Sequence, residues 1–244
     1  MKLTEISKEV GIHKSKGYSI LKTLQQFGFV EKDPQSKTYS LGVGLLFLSR
    51  HVLDNLDYQA ITNPSLKTLT EETKGIALFG VINGEYLYII AKYEPPQNFG
   101  FTLRLGHRFH FTSGAHGKAI VAFMSDVDRE RALAGGKLHF YGDKSNLKMK
   151  RLRDELAKCK RSGFAVDRGE LQPGINAISA PVFDFREKII GCIILVGTFP
   201  ESMIEEYGYK TANTARQVSC RFGADVEHLY PLAQKTTGSA RGAS

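Results

Sequence analysis

Residues 3–28, LTEISKEVGIHKSKGYSILKTLQQFG, read as two short amphipathic helices broken by a turn. Ile6 and Val10 stand four apart and share one face of the first helix. Gly11 offers a position where the chain can turn with positive φ, and Ile12 closes the corner. In the second stretch Ile20, Leu21, Leu24 and Phe27 fall on an inward side. Lys14, Ser15, Lys16, Tyr18, Ser19 and Lys22 fall on the outward side. These are partners for phosphate oxygens and base edges, placed where the second helix of a helix-turn-helix meets the major groove of double-stranded DNA. A buried helical hairpin accounts for the apolar positions equally well, so the neighbouring sequence has to separate the two.

Two short β-prone runs, Phe29 to Lys32 and Thr38 to Leu41, flank the turn-rich segment Asp33-Pro34-Gln35-Ser36-Lys37. A hairpin directly after a recognition helix is the wing of a winged helix-turn-helix, and Lys32 and Lys37 at its tip suit phosphate contact. Residues 1–50 hold eight Lys/Arg and four Asp/Glu, a net of +4, while the remaining 194 residues share another +4. Positive charge is therefore about four times denser at the N-terminus. Such an excess neutralises phosphates and releases counterions.

The resemblance to a known family begins in residues 3–42 and continues in one order through TEETKGIALFGVINGEYLYI (70–89), RLGHRFHFTSGAHGKAIVAF (104–123) and SGFAVDRGELQPGINAISAPVFD (162–184). Over nearly all of residues 3–225 the chain resembles the IclR family of bacterial and archaeal transcriptional regulators. The Gly-Lys-Ala after the small-residue turn and the Val-Asp…Glu…Pro-Gly-Ile…Ala-Pro-Val-Phe block are its most specific marks. The resemblance implies an α+β protein: a winged helix-turn-helix over residues 1–42, linker and dimerisation helices over 43–74, and a GAF/profilin-like effector-binding domain with an antiparallel sheet over 75–230. Residues 231–244, rich in Gly, Ser and Thr, are expected to be a disordered tail. In the family one whole helix precedes the segment that begins here at Leu3. The expectation is a DNA-binding domain that lacks this helix, with Thr4 capping the first helix and Leu3, Ile6, Val10 and Leu24 partly uncovered. The first forty residues are then expected to be the least stable part of the chain. Relatives usually carry Arg where Ser19 stands, so one contact to DNA is in doubt.

Composition fits a two-domain cytoplasmic protein. The three cysteines, Cys159, Cys192 and Cys220, are scattered and form no Cys-x-x-Cys, which argues for reduced thiols. The longest apolar stretch, Ile189 to Val196, is too short to span a bilayer, and Glu5 and Glu9 exclude a signal peptide, so no membrane partner is expected. The run Val43 to Asp54 carries too many apolar residues for a solvated linker, which predicts packing on another chain in a homodimer or tetramer. Gly42-Val43-Gly44 begins like a nucleotide-binding fingerprint, but Phe47 occupies the third glycine position and no βαβ unit follows.

Beyond residue 75 strands are expected at Ile76–Val81 and Glu85–Tyr93, joined by the hairpin signal Asn83-Gly84, and at Phe99–Leu105, Phe164–Asp167, Ala177–Phe183 and Ile189–Val196. Helices are expected at Gly114–Met124, Leu147–Arg161 and Met203–Phe222. Ser113-Gly114-Ala115-His116-Gly117 is a small-residue turn opening a helix, whose free amides and dipole favour an anion; a tight packing turn is the equal alternative. The resemblance implies that this turn holds the carboxylate of a small effector on Ala115 and His116. It also places Asp167, Ile175, Ala177, Ile194 and Val196 around the ligand. Ile194 and Val196 depart from relatives that bind small keto acids, which tend to carry hydroxyl-bearing residues there. With Phe101, Phe109 and Phe111 on the adjoining segment, an apolar wall with one anion-binding end suits an aromatic or medium-chain carboxylate. Ordinary core is an equally good account of those phenylalanines.

An enzyme is the rival class. His107, His110 and His116 lie within ten residues, yet no carboxylate or cysteine accompanies them and the first two point to opposite faces of an extended segment, so no metal is expected. Ser113 lacks the first glycine of a nucleophile elbow, because Phe111 stands there. No catalytic constellation and no cofactor motif emerges. The reading is a ligand-responsive, DNA-binding regulator, with repression as its expected mode. A ligand-binding protein or enzyme that has lost DNA binding is the alternative.

Overall fold

A computed structural model describes residues 1–48, 58–97, 103–135 and 138–230. The chain divides into two compact units, Met1–Asp57 and Tyr58–Ser244. Phe101, the second half of the expected Val43–Asp54 helix and the tail 231–244 lie outside the described residues.

The first unit contains α1 (Leu3–Val10), α2 (Lys14–Gln26), β1 (Val30–Lys32) and β2 (Tyr39–Leu41), followed by a helical stretch at residues 44–48. Gly11 turns the chain at φ 69°, and the amides of Gly11 and Ile12 return to the carbonyls of Lys8 and Ser7. The N-cap is Lys2 rather than Thr4. Glu5 reaches back to accept the Lys2 amide at 2.7 Å, setting a carboxylate at the positive end of the helix dipole. α1 and α2 touch through Gly17, where an added Cβ would stand 2.5 Å from Ser7 Oγ. That close approach decides which residues are inside. Leu21, one turn beyond Gly17, is buried, and Leu24 is half-buried. Ile20 and Phe27, both expected inside, are exposed, and so is Val10, which was expected to be partly uncovered. Ile20 is one position off the Gly17–Leu21 stripe, and Phe27 lies past the end of α2, stacked on Phe29 at 5.7 Å.

The wing is antiparallel with Val30 opposite Leu41 and Lys32 opposite Tyr39. Asp33 Oδ1 shapes its turn by accepting the amides of Gln35 (2.9 Å) and Ser36 (2.6 Å) and the Ser36 hydroxyl (2.9 Å). The bonds from Ser36 hold this carboxyl below its usual range.

The second unit opens with α3 (Tyr58–Thr73), then β3 (Ile76–Asn83), β4 (Tyr86–Tyr93), β5 (Arg108–His110), α4 (Gly114–Phe123) and α5 (Asp126–Ala134). It continues with α6 (Met149–Ser162), β6 (Ala165–Arg168), β7 (Asn176–Phe183), β8 (Ile189–Gly197) and α7 (Ile204–Arg221). The six strands form one antiparallel sheet in the order β5-β4-β3-β8-β7-β6. Alternation along each strand sends neighbouring side chains to opposite faces. Ile76, Leu78, Leu87, Ile89, Cys192, Ile194 and Val196 pack with Ala119, Ile120, Leu152, Leu156 and Cys159 of α4 and α6. Ala77, Phe79, Ile178, Ala180, Ile193 and Leu195 pack on the other face with Leu66 and Leu69 of α3 and Ala215 and Val218 of α7. α3, grouped with the linker on sequence, is thus a layer of the second unit. Cys159 and Cys192 are buried, Cys220 is exposed, and all three are free thiols.

Two elements differ from the sequence-based expectation. β5 is only three residues long, and the described part of the expected Phe99–Leu105 strand, residues 103–105, is not extended into the sheet. α5 buries Leu133 alone, so its sequence carries almost no apolar period; its one local signal is Ser125, which caps it by accepting the Asp128 amide at 3.2 Å.

Candidate nucleic-acid interface and ligand site

In the first unit Lys14, Ser15, Lys16, Tyr18, Ser19 and Lys22 are all exposed on α2. The helix is started by His13, whose Nδ1 accepts the Ser15 amide at 3.4 Å and lies 2.9 Å from the Ser15 hydroxyl, so Ser15 is partly committed to the cap. At the wing, Lys37 is exposed at φ 58°. Lys32 is half-buried with its ammonium 5.3 Å from the centre of the Tyr39 ring. Among the described residues, none of Lys14, Lys16, Lys22 and Lys37 forms an ion pair. Such cations are available to an external polyanion.

In the second unit the turn before α4 is tight. Gly114 adopts φ 47°, and a Cβ on Gly117 would lie 2.3 Å from the Thr112 carbonyl carbon. Ser113 is the N-cap but its side chain makes no capping bond. The amides of Gly114, Ala115 and His116 donate to no other described residue, which leaves the N-terminal donors of α4 open. Ala115 and His116 are both buried. His116 Nε2 lies 3.3 Å from the His110 carbonyl, and its ring centre lies 5.1 Å from that of Phe109. Burial lowers the imidazole to about 4, so it is neutral at neutral pH.

Strand register brings further expected residues together. Asp167 pairs with Ala177, Ala177 with Val196, and Val196 with Ile76, a single row across β6, β7, β8 and β3. Ile194, two residues before Val196, shares its face, and Phe109, Phe111, Ile175 and Ala177 pack against the same cluster. Asp167 adjoins the α4 turn: a Cβ on Gly114 would meet Asp167 Oδ2 at 2.8 Å and Leu171 Cδ1 at 2.5 Å. Asp167 Oδ1 accepts the amides of Glu170 (2.7 Å) and Leu171 (3.4 Å), so it folds the β6–β7 loop against the turn. Burial raises its carboxyl above the usual range despite those bonds.

In the sequence Lys118 stands out only as the middle of Gly-Lys-Ala, and nothing there marks what surrounds it. This lysine is 1% exposed, and its Nζ lies 2.7 Å from both Glu155 Oε2 and Glu170 Oε2 and 3.0 Å from the Val166 carbonyl. Arg151 bonds the same two glutamates. Lys118 and Arg151 lie 4.6 and 4.4 Å from the Tyr141 ring centre, and the Tyr141 hydroxyl donates to Glu155 Oε2 at 3.1 Å. Burial pushes the Tyr141 phenol up. Burial also works against the Glu155 carboxylate, but bonding to Lys118 and Arg151 prevails and holds it below its usual range. The cluster ties α4, α6 and the β6–β7 loop together beside the turn. No spacing rule links these distant positions.

The family model described as "Bacterial transcriptional regulator IclR C-terminal" matches residues 50–220, and the "IclR helix-turn-helix domain" model matches residues 1–34. The chain belongs to the IclR family. The HTH-type transcriptional regulator KdgR of Escherichia coli is 28% identical to it over 233 residues, 94% of this chain and 88% of that protein. XynR of the same organism is 26% identical over 195 residues, 80% of this chain and 77% of its own. The crystal structure of a regulator from Alicyclobacillus acidocaldarius matches with a TM-score of 0.78 and 26% identity, over 91% of this chain and 90% of that one. These IclR-family relatives are transcriptional regulators rather than enzymes, and the winged helix-turn-helix with an antiparallel α+β domain is their architecture. Among the described residues no group of His, Cys, Asp or Glu is arranged to hold a metal, and no helix is long and apolar enough to cross a membrane.

Proposed function

We propose that this IclR-family regulator is a repressor controlled by a small carboxylate. The observation that carries the reading is the open N-terminus of α4, set beside an apolar row that ends in Asp167. The effector's carboxylate accepts the amides of Ala115 and His116, and the helix dipole supplies the balancing charge. His116 is neutral, so the anion is held without an imidazolium. The apolar part of the effector lies against Phe101, Phe109, Ile175, Ala177, Ile194 and Val196, which favours an aromatic or medium-chain acid. Asp167, with its raised carboxyl, faces a hydroxyl or keto group of the same molecule. On DNA, Lys14, Ser15, Lys16, Tyr18, Ser19 and Lys22 approach the major groove of an operator, and Lys32 and Lys37 steady the backbone. The protein acts as a homodimer or tetramer in the bacterial cytoplasm, a state that sedimentation in solution will report.

A thermal-shift screen of carboxylic acids tests the ligand half. A true effector at about 100 times its Kd stabilises by about 2.7 kcal/mol, and Asp167→Ala or Ile194→Ser should diminish that shift. If both variants respond to the best acid as the parent does, the pocket is elsewhere. Binding to promoter fragments tests the other half. Lys16→Ala or Tyr18→Ala should alter which sequences bind, whereas Lys37→Ala should weaken all of them alike.

A further inference from the structure

Residues 144–161 hold Lys144, Lys148, Lys150, Arg151, Arg153, Lys158, Lys160 and Arg161 against only Asp154 and Glu155, a net of +6 in a chain whose whole net charge is +8. The excess outside the DNA-binding unit is therefore gathered on α6 and the residues leading into it. Leu152, Leu156 and Cys159 turn into the core, and Lys148, Lys150, Lys158, Lys160 and Arg161 are exposed. Arg151 and Arg153 are paired, with Glu155/Glu170 and Glu130 respectively. Among the described residues the other five form no ion pair.

A solvated helix face is the ordinary account of such residues, and it explains two of the five. Lys160 and Arg161 lie in the last turn, where a cation complements the negative end of the dipole. It does not explain the other end. The first turn has no acid, the N-cap is Lys148 with no capping bond, and the exposed Lys150 follows it, so two unpaired cations stand at the positive pole. Local physics opposes that placement, and a local rule broken without a packing gain points to a function. From Lys148 to Arg161 the array runs about 20 Å along the helix, at 1.5 Å per residue. At Lys160 it borders a groove of about 250 Å³ between α5 and α6, lined also by Arg129 and Arg153, which are paired with Asp126 and Glu130, over Ala122, Leu133 and Leu156. One small anion cannot meet cations spread over that length. A duplex, with one charge about every 1.7 Å of axis, can.

We infer that the exposed face of α6 is a second, sequence-independent DNA-binding surface that engages the phosphate backbone outside the operator core. The partner is double-stranded DNA because the same chain carries a helix-turn-helix of a DNA-binding family, so a bound duplex is tethered at high effective concentration. The inference rests on DNA binding by the first unit.

The test uses the full chain and two duplexes, one limited to the bound operator and one extended on both sides, each titrated across salt concentration. A variant with Lys150, Lys158, Lys160 and Arg161 all changed to Gln is compared with a charge-matched control in which Lys67, Lys74, Arg186 and Lys188 become Gln. On the extended duplex the α6 variant should lower the log–log salt slope by about 0.9 for each phosphate it no longer neutralises. The control should match the parent there, and the short duplex should barely distinguish the three proteins. An α6 variant indistinguishable from the control on the extended duplex overturns the proposal. Failure of the parent itself to bind either duplex would instead overturn the DNA-binding reading on which it rests.

Discussion

Gly17 shows how a single close approach reverses a propensity rule. Alanine in a helix interior is normally worth about 1 kcal/mol more than glycine. Here the new methyl would meet Ser7 Oγ at 2.5 Å and Leu3 Cδ1 at 3.3 Å. Gly17→Ala should therefore destabilise the first unit by about 1–3 kcal/mol. Among the described residues Ser7 Oγ is buried without a hydrogen-bond partner, so Ser7→Ala should cost little or even stabilise. The double variant should recover most of the stability, because the remaining Ser7 Cβ stands at an ordinary 3.6 Å. Hydrogen exchange over α1 and α2 reads all three, and additive effects would refute the steric account. His116 makes a second residue-scale prediction. Its folded value of about 4 lies below the free-histidine value of 6.5, so between those pH values the unfolded chain binds more protons. Its contribution is complete above about pH 6.5 and is lost as pH falls towards 4, to a total of about 3 kcal/mol. Chemical denaturation between pH 7 and 4.5 should show that decline, and His116→Gln should flatten it.

At the scale of elements, Lys118 joins α4, α6 and the β6–β7 loop through Glu155 and Glu170. Lys118→Met leaves two carboxylates facing a site they cannot leave. Because Glu155 and Glu170 keep 28% and 16% side-chain exposure, the cost should fall near the lower end of the range for broken buried pairs, about 3 kcal/mol. Adding Glu170→Gln should restore part of it, measured as the melting temperature of the second unit. Elements with a strong period or turn signal were legible. Asn83-Gly84 marks the β3–β4 hairpin, and Leu152, Leu156 and Cys159 mark the buried stripe of α6. α5 and β5 were not, since one buries a single leucine and the other is three residues long. The Lys118 cluster depends on chain crossings that no local window contains. The row from Asp167 to Ile76 depends on register between four strands; family resemblance named Asp167, Ala177 and Val196, and only the sheet shows them in line.

At the scale of the molecule, composition and motif order led to the expectation of two domains, and the chain divides into two compact units after Asp57, which gives α3 to the second. Charge was readable in part. Averaging residues beyond 50 hid the concentration on α6, because the rest of that stretch is slightly acidic. The three cysteines supply a chemical clock that nobody has to install. Cys220 is open to solvent, while burial pushes the Cys192 thiol up to about 12 and the Cys159 thiol higher still. An alkylating reagent should modify Cys220 at once and the other two only when the second unit opens. Cys192 Sγ lies 3.9 Å from the His116 carbonyl, at the foot of the turn proposed to hold the effector. The slow phase of alkylation in the unmodified protein should lengthen as a true effector is added, so residence of the ligand can be timed by mass without a label or a substitution.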